Sequence, residues 1–266
     1  MSADPALPVA LLRTFSIRRV LRLSLRVGFT ALPQLALLGI VFFLPVYLLV
    51  WLLPAATPAT AGERTKGLGG IGLVALLTLF VMQGAVVALV FRKLRGERPD
   101  VFASIRSGVV RCVPIVAIAI VMALMNFVGA FFVGLLVAAI HPVCMILGIF
   151  PLLILVSWSV AIPATVVERI SPFQALARSA ELTKGQRLRI FGALLAFAFL
   201  FLFAAILAAE VVNAVTPVAS RVRTIVSPVY SALFGSFLSV WPAVVYHELR
   251  ETKEGIGLDQ LASVFQ

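Results

Sequence analysis

The stretch 163-PATVVERISPFQALARSAELTKGQRLRIFGALL-195 carries charged residues between two runs that are apolar enough to lie in a membrane. Its charged residues are Glu168, Arg169, Arg178, Glu181, Lys184, Arg187 and Arg189. Ser171 followed by Pro172 has the form of a helix N-cap with proline at the first helical position. A short amphipathic helix is therefore predicted over 171–184, lying in the membrane interface. Its apolar face would be formed by Phe173, Leu176, Ala177 and Ala180.

The composition of the whole chain is that of a membrane protein. Of the 266 residues, 62% are hydrophobic and 12% are charged, and the mean hydropathy is +1.11, whereas soluble domains have about 25% charged residues. A helix needs ~20 apolar residues to cross a bilayer. Six stretches meet this requirement: 28–53, 68–91, 113–138, 143–167, 190–211 and 225–247. The sequence predicts an all-α fold, with one integral membrane domain over 1–266 and six transmembrane helices.

The net charge of +11 is explained by the membrane topology. When the six spans are drawn, 18 of the 22 lysines and arginines fall on the side of the two termini and four fall on the other side. Because basic residues concentrate in cytoplasmic loops, both termini are expected in the cytoplasm. The expected partners are membrane lipids, with anionic headgroups at the cytoplasmic face, and a membrane protein. No nucleic acid is needed to account for the charge.

The pattern of a capping residue before an amphipathic helix occurs twice more. Ser16 begins a predicted helix over 16–27, and Asp100 begins one over 100–110. The three spans predicted to return to the cytoplasm also resemble one another in sequence: 84-GAVVALVFRKLRGE-97, 163-PATVVER-169 and 242-PAVVYHELRETKEG-255. Three units, each with an interfacial helix, an outward span and an inward span, would form a three-fold internal repeat.

Two segments, 166-VVERISPFQALARSAELTKGQRLRIFGALL-195 and 245-VYHELRETKEGIGLD-259, resemble a known family. It is the bacterial membrane domain associated with glycerophosphoryl diester phosphodiesterases, together with the related YciC-like inner-membrane proteins. The matching positions are Glu168, Ser171, Pro172, Ala175, Leu176, Ser179, Leu182, Thr183, Gly185, Tyr246, Glu248, Leu249, Arg250, Glu254 and Gly255. The resemblance implies a location in the bacterial inner membrane. The soluble catalytic barrel of the phosphodiesterase is absent, so no enzymatic activity is implied.

The sequence gives no independent sign of catalysis. It lacks the His-Glu-x-x-His, Gly-x-Ser-x-Gly and P-loop patterns that mark zinc, serine and phosphate sites. The two histidines, His141 and His247, are predicted at opposite faces of the membrane. No catalytic, cofactor-binding or metal-binding residues are therefore expected, and the protein is predicted not to be an enzyme.

Two groups of polar residues are candidates for a functional site. The first is a network at the cytoplasmic interface, formed by Glu168, Arg178, Glu181, Glu248 and Arg250. These groups either bind a polar ligand, such as a lipid headgroup or a partner protein, or pair with one another. Pairing is the favoured interpretation, because partly desolvated charges need partners whatever the function. The second group is the intramembrane pair Gln83 and Asn126, which would either line a polar cavity or form hydrogen bonds between helices.

The predicted function is that of a non-enzymatic scaffold or envelope-homeostasis factor acting through lipid or protein contacts. The alternative is a small-molecule or lipid carrier with a cavity between the repeats. A polar cavity reaching the middle of the bilayer and lined by residues such as Gln83 and Asn126 would favour the carrier. A solid apolar centre would favour the scaffold.

Overall fold

The computed structural model describes residues 15–56, 61–215 and 221–255 of the 266-residue chain. These residues form α-helices and one 3₁₀ helix, with no strand among them. In the described part of the chain, five helical stretches are long and apolar enough to cross a membrane: Leu32–Leu49, Gly72–Leu94, Cys112–Ala139, Met145–Glu168 and Arg187–Val212. The chain is thus an all-helical, multi-pass membrane protein in its described part.

The described helices differ widely in length, with α-helices of eight to 34 residues. They are α1 (Ile17–Thr30), α2 (Leu32–Ala56), α3 (Ala61–Leu94), α4 (Val101–Val110), α5 (Cys112–Ala139), the 3₁₀ helix Pro142–Gly148, α6 (Ile149–Trp158), α7 (Ala161–Glu168), α8 (Pro172–Thr183), α9 (Arg187–Val215), α10 (Arg221–Leu238) and α11 (Val240–Glu254). The predicted span 143–167 corresponds to three of these elements. The predicted span 225–247 falls on α10 and α11 and is not among the five stretches above.

Prolines lie near the starts of four helices that closely follow an earlier helix. A proline lies in the first turn of α2, α5, α7 and α11, and each of these helices follows an earlier helix after one or two residues. Proline has no N–H to donate and its ring clashes with the carbonyl four residues earlier, so it is well tolerated in a first turn, whereas in a helix interior it kinks or breaks the helix. The four residues are Pro33, Pro114, Pro163 and Pro242.

Helix α11 is surrounded by the rest of the described bundle. It packs against α1, α3, α7, α8 and α10. Every residue from Val240 to Leu249 is buried, including His247 and Glu248. A helix buried on all sides is usually apolar all round. The polar groups on α11 therefore need partners on the surrounding helices, because a buried polar group without one is destabilising.

Helices lie at the three places where short amphipathic helices are predicted, and each packs along a neighbouring helix. Helix α1 runs antiparallel to α11 and α10, since Arg19 bonds to Glu248 near one end and Gly28 lies against Phe237 near the other. Helix α4 packs against α3, and α8 packs against α6 and α7. The position of these helices in the membrane interface stays a prediction.

The face of α8 that packs against the bundle is partly polar. Of the predicted apolar face, Leu176 is buried, whereas the side chain of Phe173 is 76% exposed, as a side chain directed toward the membrane would be. The face turned toward the bundle contains Ser179 and Thr183, which are fully buried. The Ser179 hydroxyl donates to the carbonyl of Ser157 at 2.7 Å, and that of Thr183 donates to it at 3.3 Å. This carbonyl belongs to the last turn of α6, where helical carbonyls lack helical partners.

Candidate functional site

The chain turns sharply between α7 and α8, and this turn brings the carboxylate of Glu168 next to α8. Arg169 ends α7 in the left-handed region, with φ of 57°. Arg111 donates to the carbonyl of Thr165 at 3.0 Å, which satisfies one of the free carbonyls at the end of α7. Ser171 then begins α8 with a capping box, in which Ser171 and Gln174 exchange hydrogen bonds.

Glu168 is held by side chains from α8 and α11. The hydroxyl of Tyr246 donates to Oε1 of Glu168 at 2.6 Å. Nε of Arg178 donates to both carboxylate oxygens at 3.2 Å, and Nε of Arg250 lies 4.0 Å from Oε1. The carboxylate thus joins three helices at a single point.

Glu254 lies between the same two arginines. Nε of Arg250 donates to Oε2 of Glu254 at 2.9 Å, and Nη2 of Arg178 donates to Oε1. Burial acts to raise the pKa of Glu254, but the hydrogen bonds from Arg250 and Arg178 outweigh it and hold this pKa below the ordinary value. Burial likewise acts to lower the pKa of Arg178, and the charges of Glu168 and Glu254 outweigh it, so that this pKa is raised.

Glu181 and Lys253 complete the surface side of this group. Nη1 of Arg178 lies 3.6 Å from Oε2 of Glu181, whose side chain is 74% exposed. The ammonium of Lys253 donates to the carbonyls of Glu181 at 2.6 Å and of Lys184 at 2.8 Å. These carbonyls form the end of α8, where the helix dipole favours a positive charge. We call the six charged residues together the charged cluster: Glu168, Arg178, Glu181, Arg250, Lys253 and Glu254.

The charged cluster is electrically balanced, with three carboxylates and three cations. Each of its members has at least one partner within the protein. The side chains of Glu168, Arg178 and Glu254 are 19%, 25% and 18% exposed, so the centre of the cluster is largely shielded from solvent. The side chain of Glu181, at the edge of the cluster, is 74% exposed. Such an arrangement ties α7, α8 and α11 together. It keeps no unpaired acid or base for proton transfer.

The structure brings together four of the five residues predicted for the interface network. Glu168, Arg178, Glu181 and Arg250 belong to the charged cluster. The fifth, Glu248, lies on another side of α11, where it is 1% exposed and accepts a hydrogen bond from Arg19 at 3.0 Å.

Three residues of the site were not predicted from the sequence as parts of it: Tyr246, Lys253 and Glu254. Tyr246, Arg250 and Glu254 follow one another at intervals of four residues and so share one face of α11. This spacing is visible in the sequence and could have added Tyr246 and Glu254 to the network. Arg19 had no comparable signal, since it lies 229 positions before Glu248.

The two predicted intramembrane polar residues do not form a common site. Asn126 donates to the carbonyl of Met122 at 2.8 Å, which is a bond within its own helix α5. Gln83 is half-buried on α3. A cavity of about 450 Å³ lies between α1, α2, α9 and α10; its ten lining residues are all apolar and include neither Gln83 nor Asn126.

Comparison with known proteins gives no relative for this chain. No family model, no curated protein and no solved structure matches it. In the described ranges, no group of three or more His, Cys, Asp or Glu residues is placed to hold a metal ion. What the site can do follows from its own contacts, which join helices and neutralise charge.

Proposed function

We propose that the protein is a non-enzymatic membrane scaffold that acts through contacts with lipids or partner proteins. The observation that carries this proposal is the closure of the charged cluster on itself. A catalytic or ligand-binding group has to be free to exchange a proton or to contact the ligand. Glu168 and Glu254 instead accept hydrogen bonds from Arg178, Arg250 and Tyr246, and these bonds hold three helices together.

The proposal includes six spans, with both termini in the cytoplasm of a bacterial cell and the chain in its inner membrane. Helices α10 and α11 would form the sixth span, bent at Ser239. An even number of spans is consistent with the concentration of 18 of the 22 basic residues on the side of the termini. The exposed side of the charged cluster, where Glu181 lies, would face the cytoplasm.

The three-fold repeat is part of the same proposal. Short helices α1, α4 and α8 are each followed by a long helix of 25 to 29 residues, α2, α5 and α9, and then by a return. The aligned position in the three returns is Gly84, Pro163 and Pro242. Helix α3 continues through Gly84, whereas breaks precede Pro163 and Pro242. The difference between the units is compatible with the residue at this position, since glycine retains the N–H that proline lacks.

Membership in the family of phosphodiesterase-associated membrane domains is also proposed. The two segments that carry the resemblance are 166–195 and 245–259. The bonds of Tyr246 to Glu168 and of Glu254 to Arg178 join these segments in space. This contact supports the proposal because it gives the residues of the resemblance one common structural role.

The scaffold proposal is tested by isolating the protein from its native membrane in a mild detergent and identifying what accompanies it by mass spectrometry. A partner protein present in a constant ratio to the chain is the expected result. The same isolation of Phe102→Glu and Phe173→Glu, which alter side chains that are 79% and 76% exposed, locates the contact surface. A chain that is isolated alone and turns over or moves a substrate would refute the proposal.

One observation favours a second candidate, a lipid-handling protein. The apolar cavity lies between α1 and α2 of the proposed first unit and α9 and α10 of the third. An apolar lining suits an acyl chain and does not suit a polar solute. In vesicles containing the purified protein, fluorescent phospholipids would then exchange between leaflets faster than in empty vesicles. An unchanged exchange rate favours the scaffold.

A further inference from the structure

The apolar cavity is an open cleft with an aromatic wall. Phe201 stacks on Phe197 and on Phe237, with ring centroids 6.0 and 6.1 Å apart, and Phe29 meets the edge of Phe237 at 5.5 Å. Phe29 is 64% exposed, which shows that the cleft opens at the side of the described bundle. A volume of about 450 Å³ lies within the range of small-ligand sites.

Positive charge adjoins this cleft along one face of α1. Arg18, Arg22, Leu25 and Phe29 follow at intervals of four, three and four residues, so they form one stripe on the helix. Leu25 and Phe29 line the cleft, and Arg18 and Arg22 are exposed. The opposite face of α1 is the one buried in the bundle.

The arginines of the stripe are not neutralised within the described protein. Arg19 pairs with Glu248, but neither Arg18 nor Arg22 forms an ion pair with another described residue. Helix α1 contains no acidic residue. Two exposed guanidinium groups therefore lie next to an apolar cleft, in contrast to the balanced charged cluster.

The spacing along α1 fits an amphiphile. The helical rise of ~1.5 Å per residue separates Arg22 from Leu25 by about 4.5 Å and from Phe29 by about 10 Å. Helix α9 runs beside α1 in the same direction, because Ile17 lies against Gly192 while Leu25 and Phe29 share the cleft with later residues of α9. The cleft thus begins near the arginines and leads away from them, as an alkyl chain leads away from a phosphate.

We propose that this cleft binds one acyl chain of an anionic phospholipid, whose phosphate lies on Arg18 and Arg22. Guanidinium groups suit this role because they bind phosphate oxygens in a bidentate manner. The proposal rests on the membrane placement proposed above and adds a specific lipid class.

Binding is measured by native mass spectrometry on the full-length, delipidated protein in detergent. Phosphatidylglycerol and phosphatidylcholine of identical acyl chains are the probes. Wild type should retain one phosphatidylglycerol per chain and prefer it to phosphatidylcholine. The double variant Arg18→Gln/Arg22→Gln should bind phosphatidylglycerol about tenfold more weakly or worse. The matched control Arg98→Gln/Arg106→Gln removes the same charge from exposed positions distant in sequence and should change binding less than twofold.

A second variant tests the cleft independently of the arginines. Ala204 lines the cleft and is exposed, so Ala204→Phe should fold and should displace the acyl chain while both guanidinium groups remain. Equal binding of the two lipids, or unchanged binding in either variant, would overturn the proposal. Competition by inorganic phosphate as strong as by phosphatidylglycerol would do the same, since it would mean that the arginines bind phosphate alone. Loss of the lipid with an unchanged protein partner would leave the scaffold proposal intact.

Discussion

Replacing Glu168 by glutamine tests whether the charged cluster holds the fold together. The change keeps the size of the side chain but removes its negative charge. Tyr246 and Arg178 would lose the carboxylate that now accepts their hydrogen bonds at 2.6 and 3.2 Å. Arg178 and Arg250 would then share only the half-buried carboxylate of Glu254. Both the lost bonds and the repulsion between the two cations destabilise the folded protein.

The size of the effect follows from the burial of the groups. Breaking a fully buried ion pair costs ~3–5 kcal/mol, and a single hydrogen bond to a charged group contributes ~1.5–3 kcal/mol. The side chains of Glu168, Arg178 and Arg250 are 19%, 25% and 12% exposed, which permits some relief by water. We expect Glu168→Gln to lower the free energy of unfolding by about 2–3 kcal/mol.

The free energy of unfolding is measured by denaturant titration in mixed micelles, with Glu97→Gln as the control. Glu97 also pairs with an arginine, at 3.4 Å from Arg92, but it is 46% exposed, so its loss should cost less than about 1 kcal/mol. Combining Glu168→Gln with Tyr246→Phe should cost about 1 kcal/mol less than the sum of the single changes. Strict additivity, or equal costs for Glu168→Gln and Glu97→Gln, would refute the structural role. A ligand site would then be the better explanation of the carboxylate.

Three further predictions concern topology, pH and helix packing. In a cysteine-free background, a membrane-impermeant thiol reagent applied from outside the inner membrane should label Thr60→Cys and not Ser263→Cys; labelling of the second position would contradict cytoplasmic termini. Because the pKa of Glu254 is lowered in the folded protein, the stabilisation by its carboxylate is complete above the ordinary value of 4.5 and is lost as pH falls through the folded pKa. Glu254→Gln should flatten this part of the stability–pH profile. An unchanged profile would exclude a stabilising role for Glu254. A Cβ on Gly39 would lie 2.4 Å from a backbone oxygen of α10, so Gly39→Ala should lower the free energy of unfolding by ~1–3 kcal/mol in the denaturant titration. Gly134 has no atom within 4 Å of its Cβ position, so the control Gly134→Ala should not destabilise the protein.

The long helices were predictable because membrane insertion depends on local composition. The predicted spans 113–138 and 190–211 lie within α5 and α9, which extend from Cys112 to Ala139 and from Arg187 to Val215. An uninterrupted apolar run is enough to specify such a helix. The division of the predicted spans 143–167 and 225–247 into shorter helices was less clear from hydropathy. A proline does not interrupt an apolar run in the sequence, although it removes a backbone N–H from the helix.

Helix α8 shows what its sequence pattern did not specify. An apolar face in the membrane interface is compatible with an exposed Phe173, because such a face meets lipid and not water, but the pattern does not indicate which residues pack against the bundle. In a membrane protein the surroundings are largely lipid, so Phe173 can be exposed while Ser179 and Thr183 face the bundle and satisfy backbone carbonyls. Composition alone does not distinguish these two surroundings for a helix near the membrane surface. The carbonyl of Ser157 accepts the hydrogen bonds of Ser179 and Thr183, and its position beside α8 is known only from the folded structure.

The sequence Tyr246 to Glu254 illustrates how one helix can specify several contacts. The face with Tyr246, Arg250 and Glu254 meets α7 and α8, and Glu248 meets Arg19 on α1. A carboxylate on a helix surrounded by protein and lipid is tolerated only where a donor is built in for it. The contacts of α11 with the surrounding helices therefore account for its tyrosine, glutamate and arginine residues. No ligand is needed to explain them. Arg18 and Arg22, which have no ion pair with another described residue, lie instead at the edge of the described bundle, on the face of α1 beside the apolar cleft, and that is where contacts with other molecules are to be sought.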